Sequence, residues 1–159
     1  MTGAAPQSAS PADRERLLEA IALAHHSPPS RTAFSVGAVI VADDGSVLGR
    51  GWSRRHDPTE HAEEAALADV SGGDRLRLRA ATIYTSLEPC GRRASREVTC
   101  TEHILAAGIP RVVFAWSEPD LFVEARGAEL LERAGRTVIQ VPDLADAARE
   151  PNLHLLRRG

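Results

Sequence analysis

"RVVFAWSEPDLFVEARGAELLERAGRTVIQV", residues 111–141, reads as strand, helix, strand. Its two ends, RVVFAW and TVIQV, are short runs of β-branched and aromatic residues, and the intervening ARGAELLERAG carries helix formers up to a closing glycine. Two strands separated by one helix lie parallel and are joined by a right-handed crossover. This stretch therefore predicts an α/β fold whose last two strands are parallel.

Working back towards the N-terminus, TEHILAAG predicts a helix beginning near Cys100 and stopped by Gly108 and Pro110. ATIYTSL predicts a buried strand ending at Leu87, preceded by a glycine-rich loop from Ser71 to Asp74. Before that, Asp57 is the expected cap of a helix, with Pro58 in its first turn and Glu60 completing a capping box. FSVGAVIVADDGSVLGRGWS predicts two strands around a DDG turn. Ser10 and Pro11 open a first helix that runs to about His26, with Leu17, Leu18, Ile21 and Ala24 as its buried stripe. Beyond residue 141, DLADAAREPNLHLL predicts a helix broken at Pro151. The order predicts a three-layer α/β/α sandwich around a mixed five-stranded sheet. Residues 1–9 are expected to be a disordered tail and residues 10–159 a single domain.

Composition narrows the function. A chain of 159 residues, 43% hydrophobic, can bury one good core. The net charge of −3 gives no global basic field for a polyanion, so nucleic acid is not the expected partner. All 19 basic residues are arginine, from which no function is drawn. No apolar run reaches the roughly 18 residues of a membrane span, and a cytoplasmic location is expected. In a reducing compartment, the two cysteines, Cys90 and Cys100, point to thiol or metal chemistry rather than a disulfide.

Taken singly, the polar residues of HAEEAAL, residues 61–67, have ordinary explanations. A histidine near a helix start is commonly a capping or packing residue. A glutamate in a first turn is favoured by the helix dipole, and free cysteines are often small buried hydrophobes. Taken together, His61, Cys90 and Cys100 supply one imidazole and two thiols from segments that open helices. Zinc favours such nitrogen and sulfur donors, and three protein ligands leave a fourth position open for water. Helix N-termini also lower thiol pKa, which favours ligation by Cys100 and, given a similar turn, by Cys90. Glu63, two residues beyond His61, can reach the water beside such an ion.

HAE, SLEPC and the later Cys100 resemble the zinc-dependent cytidine deaminase superfamily, whose signature is His-x-Glu followed by Pro-Cys and another Cys. Within it, the chain is similar to the deaminase domain of the bifunctional riboflavin-pathway pyrimidine deaminase and reductase. The stretches that carry the likeness are VGAVIV, GRGWS, HAEEAAL, TSLEPC, CTEHILAAGIPRVVFAWSEPD, GAELLERAG and PNLHLL, spanning about residues 31–155. The resemblance implies a deaminase fold, one zinc held by His61, Cys90 and Cys100, and Glu63 as catalytic proton shuttle. It also implies a homodimer and a small base, nucleoside or nucleotide as substrate, converted to a ring carbonyl with release of ammonia.

The chain departs from that pattern in places. The riboflavin branch tends to have an asparagine before the first VG strand, where Ala33 and Phe34 stand here, and often a histidine at Ser53. The FSVGA wording is more like cytidine deaminases, and a stand-alone deaminase without the reductase domain is expected. The insert GRRASREVT between the cysteines is close in length to that of the riboflavin branch. Its Arg92, Arg93 and Arg96 are candidates for holding a phosphate, or else members of a solvated loop. Phe34 is a candidate for stacking on a base, with a core role as the ordinary alternative. Glu88, beside Pro89 and Cys90, is expected to support the ligands from behind or to orient backbone rather than to catalyse. Two other classes stay open. A tRNA or purine deaminase would share the pocket but, for RNA, should present a basic surface, and a non-catalytic zinc-stabilised domain would have no use for Glu63.

Overall fold

A computed structural model describes residues 8–91, 98–117 and 127–156. Helix α1 covers Pro11–Ala24. The Ser10 hydroxyl accepts from the Asp13 N–H at 3.1 Å, and the Asp13 carboxylate accepts from the Ser10 N–H at 2.9 Å. The helix start read from Ser10 and Pro11 is therefore present, and the helix stops two residues short of His26. Its buried stripe is Leu17, Ala20, Ile21 and Ala24, whereas Leu18 is exposed. At 100° per residue, Leu18 points a quarter-turn away from the others, so Ala20 takes its place.

Strands β1 (Gly37–Val41) and β2 (Val47–Trp52) form the expected antiparallel hairpin, with Gly45 at φ 89° in its turn. Helix α2 (Ala62–Asp69) lies flat on this hairpin. A Cβ on Gly49 or Gly51 would run into the backbone of Ala66, so only glycine lets α2 approach this closely. The expected Asp57 cap is not used. Asp57, Pro58 and Thr59 close a turn of their own, in which the Thr59 N–H donates to the Asp57 side chain at 2.9 Å and the Glu60 N–H to the Asp57 carbonyl at 3.2 Å. The N-cap of α2 is His61, and the Glu64 carboxylate reaches back to its N–H at 3.0 Å.

The stretch that opens with the glycine-rich loop is a 3-10 helix over Gly72–Ala80. Then follow β3 (Thr82–Leu87), α3 (Cys100–Ala107), β4 (Arg111–Trp116), α4 (Gly127–Arg133) and β5 (Thr137–Gln140). Gly108 ends α3 in the left-handed region at φ 79°, as its position in the sequence predicts. Helix α5 (Ala145–Arg149), a 3-10 turn through Pro151 and α6 (Leu153–Leu156) complete the described chain.

The five strands lie in the order β2-β1-β3-β4-β5, with the first three antiparallel and β3, β4 and β5 parallel. Alternate strand residues fill two cores. Ala38, Ile40, Ile83 and Val112 face α2, α3 and α4, while Val39, Tyr84, Val113 and Ile139 face α1 and α5. This is the expected mixed sheet with helices on both faces. Because β1 runs against β2 and β3, the segment before β1 and those after β2 and β3 meet at one end of the sheet. No described helix is long and apolar enough to cross a membrane.

Candidate active site

The three candidate ligands come from those converging segments. His61 caps α2, Cys90 follows β3, and Cys100 is the first residue of α3. His61 Nδ1 lies 3.1 Å from Cys100 Sγ and 3.7 Å from Cys90 Sγ, and the three ligand atoms all fall within 4.8 Å of one another. Neither cysteine is in a disulfide. Zinc bonds of about 2.0–2.3 Å in a tetrahedral site place donors roughly 3.3–3.8 Å apart, so this cluster has the donor set and nearly the spacing that zinc requires.

The surroundings favour the ligating thiolate. The Cys90 thiol is pulled down to about 4, chiefly by the Cys100 side chain, with His61 and the Cys100 backbone N–H at 3.2 Å assisting against the effect of burial. The segment carrying Cys90 is pinned from two sides. Thr101 donates its hydroxyl to the Cys90 carbonyl at 2.9 Å, and the buried Glu88 carboxylate accepts from the Ala128 N–H at the start of α4 at 3.0 Å. Gly127 touches the Pro89 carbonyl so closely that a Cβ there would collide with it. Glu88 orients backbone, in line with the expectation from sequence, whereas the roles of Thr101 and Gly127 had no signal beyond their neighbours.

Glu63 sits on the first turn of α2 and is 4% exposed. Its carboxyl is pushed up to about 7, above all by burial and further by the negative charge of Cys90, with His61 and a hydrogen bond from Cys100 opposing. Without a metal ion in the cluster, burial thus keeps a proton on Glu63 more tightly than water would.

A cavity of about 380 Å³ opens over His61, Glu63 and Cys90. Part of its lining is the segment before β1, including Phe34, which lies ahead of the strand and not within it as expected. Phe34 lines the cavity and also packs edge-on against the Trp116 ring, with centroids 5.1 Å apart. Arg92, Arg93 and Arg96 fall outside the described residues.

Ser53, Arg54 and Glu60 also line the cavity, a place the sequence did not predict for them. Ser53 is buried and accepts from the Val36 N–H at 2.9 Å. Glu60, expected in a capping box, is instead a buried cavity residue bonded to His56 at 2.8 Å. Arg54 is the one non-glycine residue with positive φ among the described residues, at 60°. Its guanidinium donates to the Phe34 carbonyl at 3.0 Å and to the Pro28 carbonyl at 2.7 Å, and burial lowers its pKa.

Comparison with known proteins agrees with this geometry. The sequence profile of the cytidine and deoxycytidylate deaminase zinc-binding region matches residues 11–116. The diaminohydroxyphosphoribosylamino-pyrimidine deaminase of Schizosaccharomyces pombe is 38% identical over 127 residues, which is 79% of this chain and 31% of that protein. The riboflavin biosynthesis protein RibD of Escherichia coli is 38% identical over 101 residues, 64% of this chain and 26% of that protein. This chain thus spans about a third or less of the length of these curated relatives. Among solved structures, RibD of Acinetobacter baumannii superposes with a TM-score of 0.73 at 30% identity, covering 92% of this chain and 39% of that one. The Rib2 deaminase of Aspergillus oryzae gives a TM-score of 0.77 at 24% identity, covering 90% and 91%, and so bears on the fold. From the profile match and the fold together, the chain belongs to the cytidine and deoxycytidylate deaminase family, which carries a zinc-binding region.

Proposed function

We propose that residues 10–159 form a hydrolytic deaminase domain that acts on a pyrimidine and works with one zinc ion held by His61, Cys90 and Cys100. The observation that carries this reading is the buried Glu63 carboxyl beside the His-Cys-Cys cluster at the floor of the cavity. A structural zinc site has no need of such a carboxyl. When bound, zinc supplies Lewis-acid activation of water at neutral pH.

The chain's own residues do the rest. Glu63 accepts one proton from the attacking water and passes it to the ring nitrogen as the new C–O bond forms; it then takes the remaining proton of the new hydroxyl and gives it to the amine as the C–N bond breaks and the carbonyl forms. Water and the amino-pyrimidine become a ring carbonyl and ammonia. Phe34 forms the wall against which a planar base stacks. From sequence, Arg92 and Arg93 are assigned to the substrate's phosphate.

Among pyrimidines, the reading favoured is the riboflavin-pathway substrate named in the Schizosaccharomyces pombe relative, diaminohydroxyphosphoribosylamino-pyrimidine. A cytoplasmic location and a homodimer complete the proposal. The net charge of −3 and the small cavity weigh against RNA as substrate. The test is ammonia release from a panel of that pyrimidine, cytosine, cytidine, the cytidine nucleotides, guanine and adenine-containing substrates. Turnover led by the riboflavin-pathway compound is expected. Release from cytidine or its nucleotides alone would move the substrate assignment, and release from none by zinc-loaded protein would overturn the reading.

A further inference from the structure

One part of the cavity lining belongs to no helix or strand. It is the segment before β1, and its position is set by side chains from elsewhere in the chain. Asn152, between α5 and α6, has no exposed surface. Its Oδ1 accepts from the Ser35 N–H at 2.6 Å and its Nδ2 donates to the Ser35 carbonyl at 3.0 Å. A third bond ties the same Nδ2 to the Ala148 carbonyl of α5 at 3.4 Å.

A primary amide has a donor and an acceptor side by side, and so it can pair with both polar groups of one residue as a neighbouring strand would. A carboxylate of the same shape has no donor for the Ser35 carbonyl. Two further contacts link the same C-terminal stretch to the wall. His154 Nε2 lies 2.7 Å from the Ser30 carbonyl, and the Arg149 guanidinium sits 5.8 Å from the centre of the Trp116 ring, on which Phe34 packs. Arg54 also holds the Phe34 carbonyl and, at 2.8 Å, the Ser35 hydroxyl.

We propose that Asn152 is a positioning residue for substrate: by holding both backbone polar groups of Ser35, it sets Phe34 at the distance from the His61, Cys90 and Glu63 floor that a planar base requires. The proposal rests on the deaminase reading above. It assigns substrate recognition to a residue more than a hundred positions from Phe34 that lines no part of the cavity. Removal of the clamp leaves the metal ligands and Glu63 in place and moves only the wall. The effect therefore falls on KM more than on kcat.

The test uses the full chain loaded with zinc and the best substrate of the panel. Asn152→Ala is expected to raise KM by about 10- to 100-fold, the scale of a misplaced binding group, with kcat reduced less than about threefold and zinc unchanged. Asn152→Asp keeps the acceptor, loses the donor, and should fall between the two. A merely structural role is separated by a double-mutant cycle with Phe34→Ala. If Asn152 acts through Phe34, its replacement adds less than about twofold to KM in the Phe34→Ala background, while the two losses in melting temperature still add.

Amide hydrogen exchange at Ser35 reads the clamp without substrate and should quicken in both Asn152 variants. Should Asn152→Ala not fold, Asn152→Asp and the exposed His154→Ala carry the test, the latter with a smaller rise in KM. An unchanged KM in a folded variant, or multiplicative effects of Asn152→Ala and Phe34→Ala on KM, would overturn the proposal. Wild-type protein that binds zinc but deaminates nothing in the panel overturns the deaminase reading instead, and the exchange rate at Ser35 then decides separately whether Asn152 holds the wall.

Discussion

Asp13 and Glu63 are both buried carboxylates, 3% and 4% exposed, on opposite faces of one sheet, and their environments drive them in opposite directions. Asp13 receives two bonds from the Arg111 guanidinium, at 2.6 and 2.8 Å, and one from the Tyr84 hydroxyl at 2.7 Å. The Arg111 pairing, with help from Tyr84 and Ser10, outweighs burial and holds the Asp13 carboxyl well below the usual carboxylate range, while burial and the charge of Asp13 push Tyr84 up to about 12. Glu63 has thiols and an imidazole as neighbours in place of a guanidinium, burial prevails, and its carboxyl rises to about 7. Asp13 is locked as an anion and ties α1 to β3 and β4. Glu63 is left free to exchange a proton. A full set of partners makes a carboxylate structural, and an incomplete one beside a candidate metal centre makes it available for chemistry.

The comparison breaks most completely at the ligand cluster. His61→Ala or Cys90→Ala should lose both zinc and ammonia release, measured by elemental analysis and a coupled assay, because two remaining donors are too few for a stable site. A variant that keeps full zinc and full activity would remove the metal from the account.

Stability against pH separates the two carboxylates by sign. In zinc-free protein, Glu63 binds its proton more tightly folded than unfolded, so its contribution is greatest below pH 4.5 and is lost as pH rises towards 7. The loss amounts to about 3 kcal/mol for a carboxyl raised from 4.5 to about 7. Subtracting a Glu63→Gln denaturation series from wild type should reveal that fall between pH 4.5 and 7. Asp13 gives the reverse. Its folded pKa is depressed, so its contribution is complete above 3.8 and is lost only as pH falls through the folded value. Asp13→Asn should cost about 3 kcal/mol at neutral pH, at the low end for a broken buried pair because Arg111 is partly exposed, and should flatten the acid limb. Equal slopes in the two variants would contradict the contrast.

The smallest effect is expected where the same chemistry lies in water. Arg14 and Asp143 form an ion pair at 2.7 Å with both side chains well exposed. Arg14→Ala should leave the melting temperature nearly unchanged, since exposed pairs contribute little. A loss comparable to that of Asp13→Asn would show that burial is not what distinguishes the two pairs.

Much of this arrangement is legible in sequence where the cause is local. Ser10 and Pro11 announce the start of α1, Gly108 ends α3, and residues 111–141 fix the parallel strands because each signal lies within one turn or one strand. The His61, Glu63, Cys90 and Cys100 set is legible because zinc chemistry restricts residue type and spacing together. The start of α2 was less so. Asp57 and Glu60 have the form of a capping box, but Glu60 turns to His56 and the true cap is His61. The glycines between Ser71 and Asp74 predict a loop, whereas the structure has a 3-10 helix over Gly72–Ala80 that Leu78 anchors in the core. Asp13 with Arg111, and Asn152 with Ser35, join residues far apart in the chain, and neither end alone carries a signal of its partner.

The central claim is that Glu63 moves protons beside a metal held by His61, Cys90 and Cys100. The most direct measurement is ammonia release by Glu63→Gln carrying one zinc per chain, with diaminohydroxyphosphoribosylamino-pyrimidine as substrate. The account predicts zinc content equal to wild type and a rate lower by about 10²- to 10⁴-fold, the range for loss of a general acid and base. A zinc-loaded Glu63→Gln protein that turns over at the wild-type rate would contradict it.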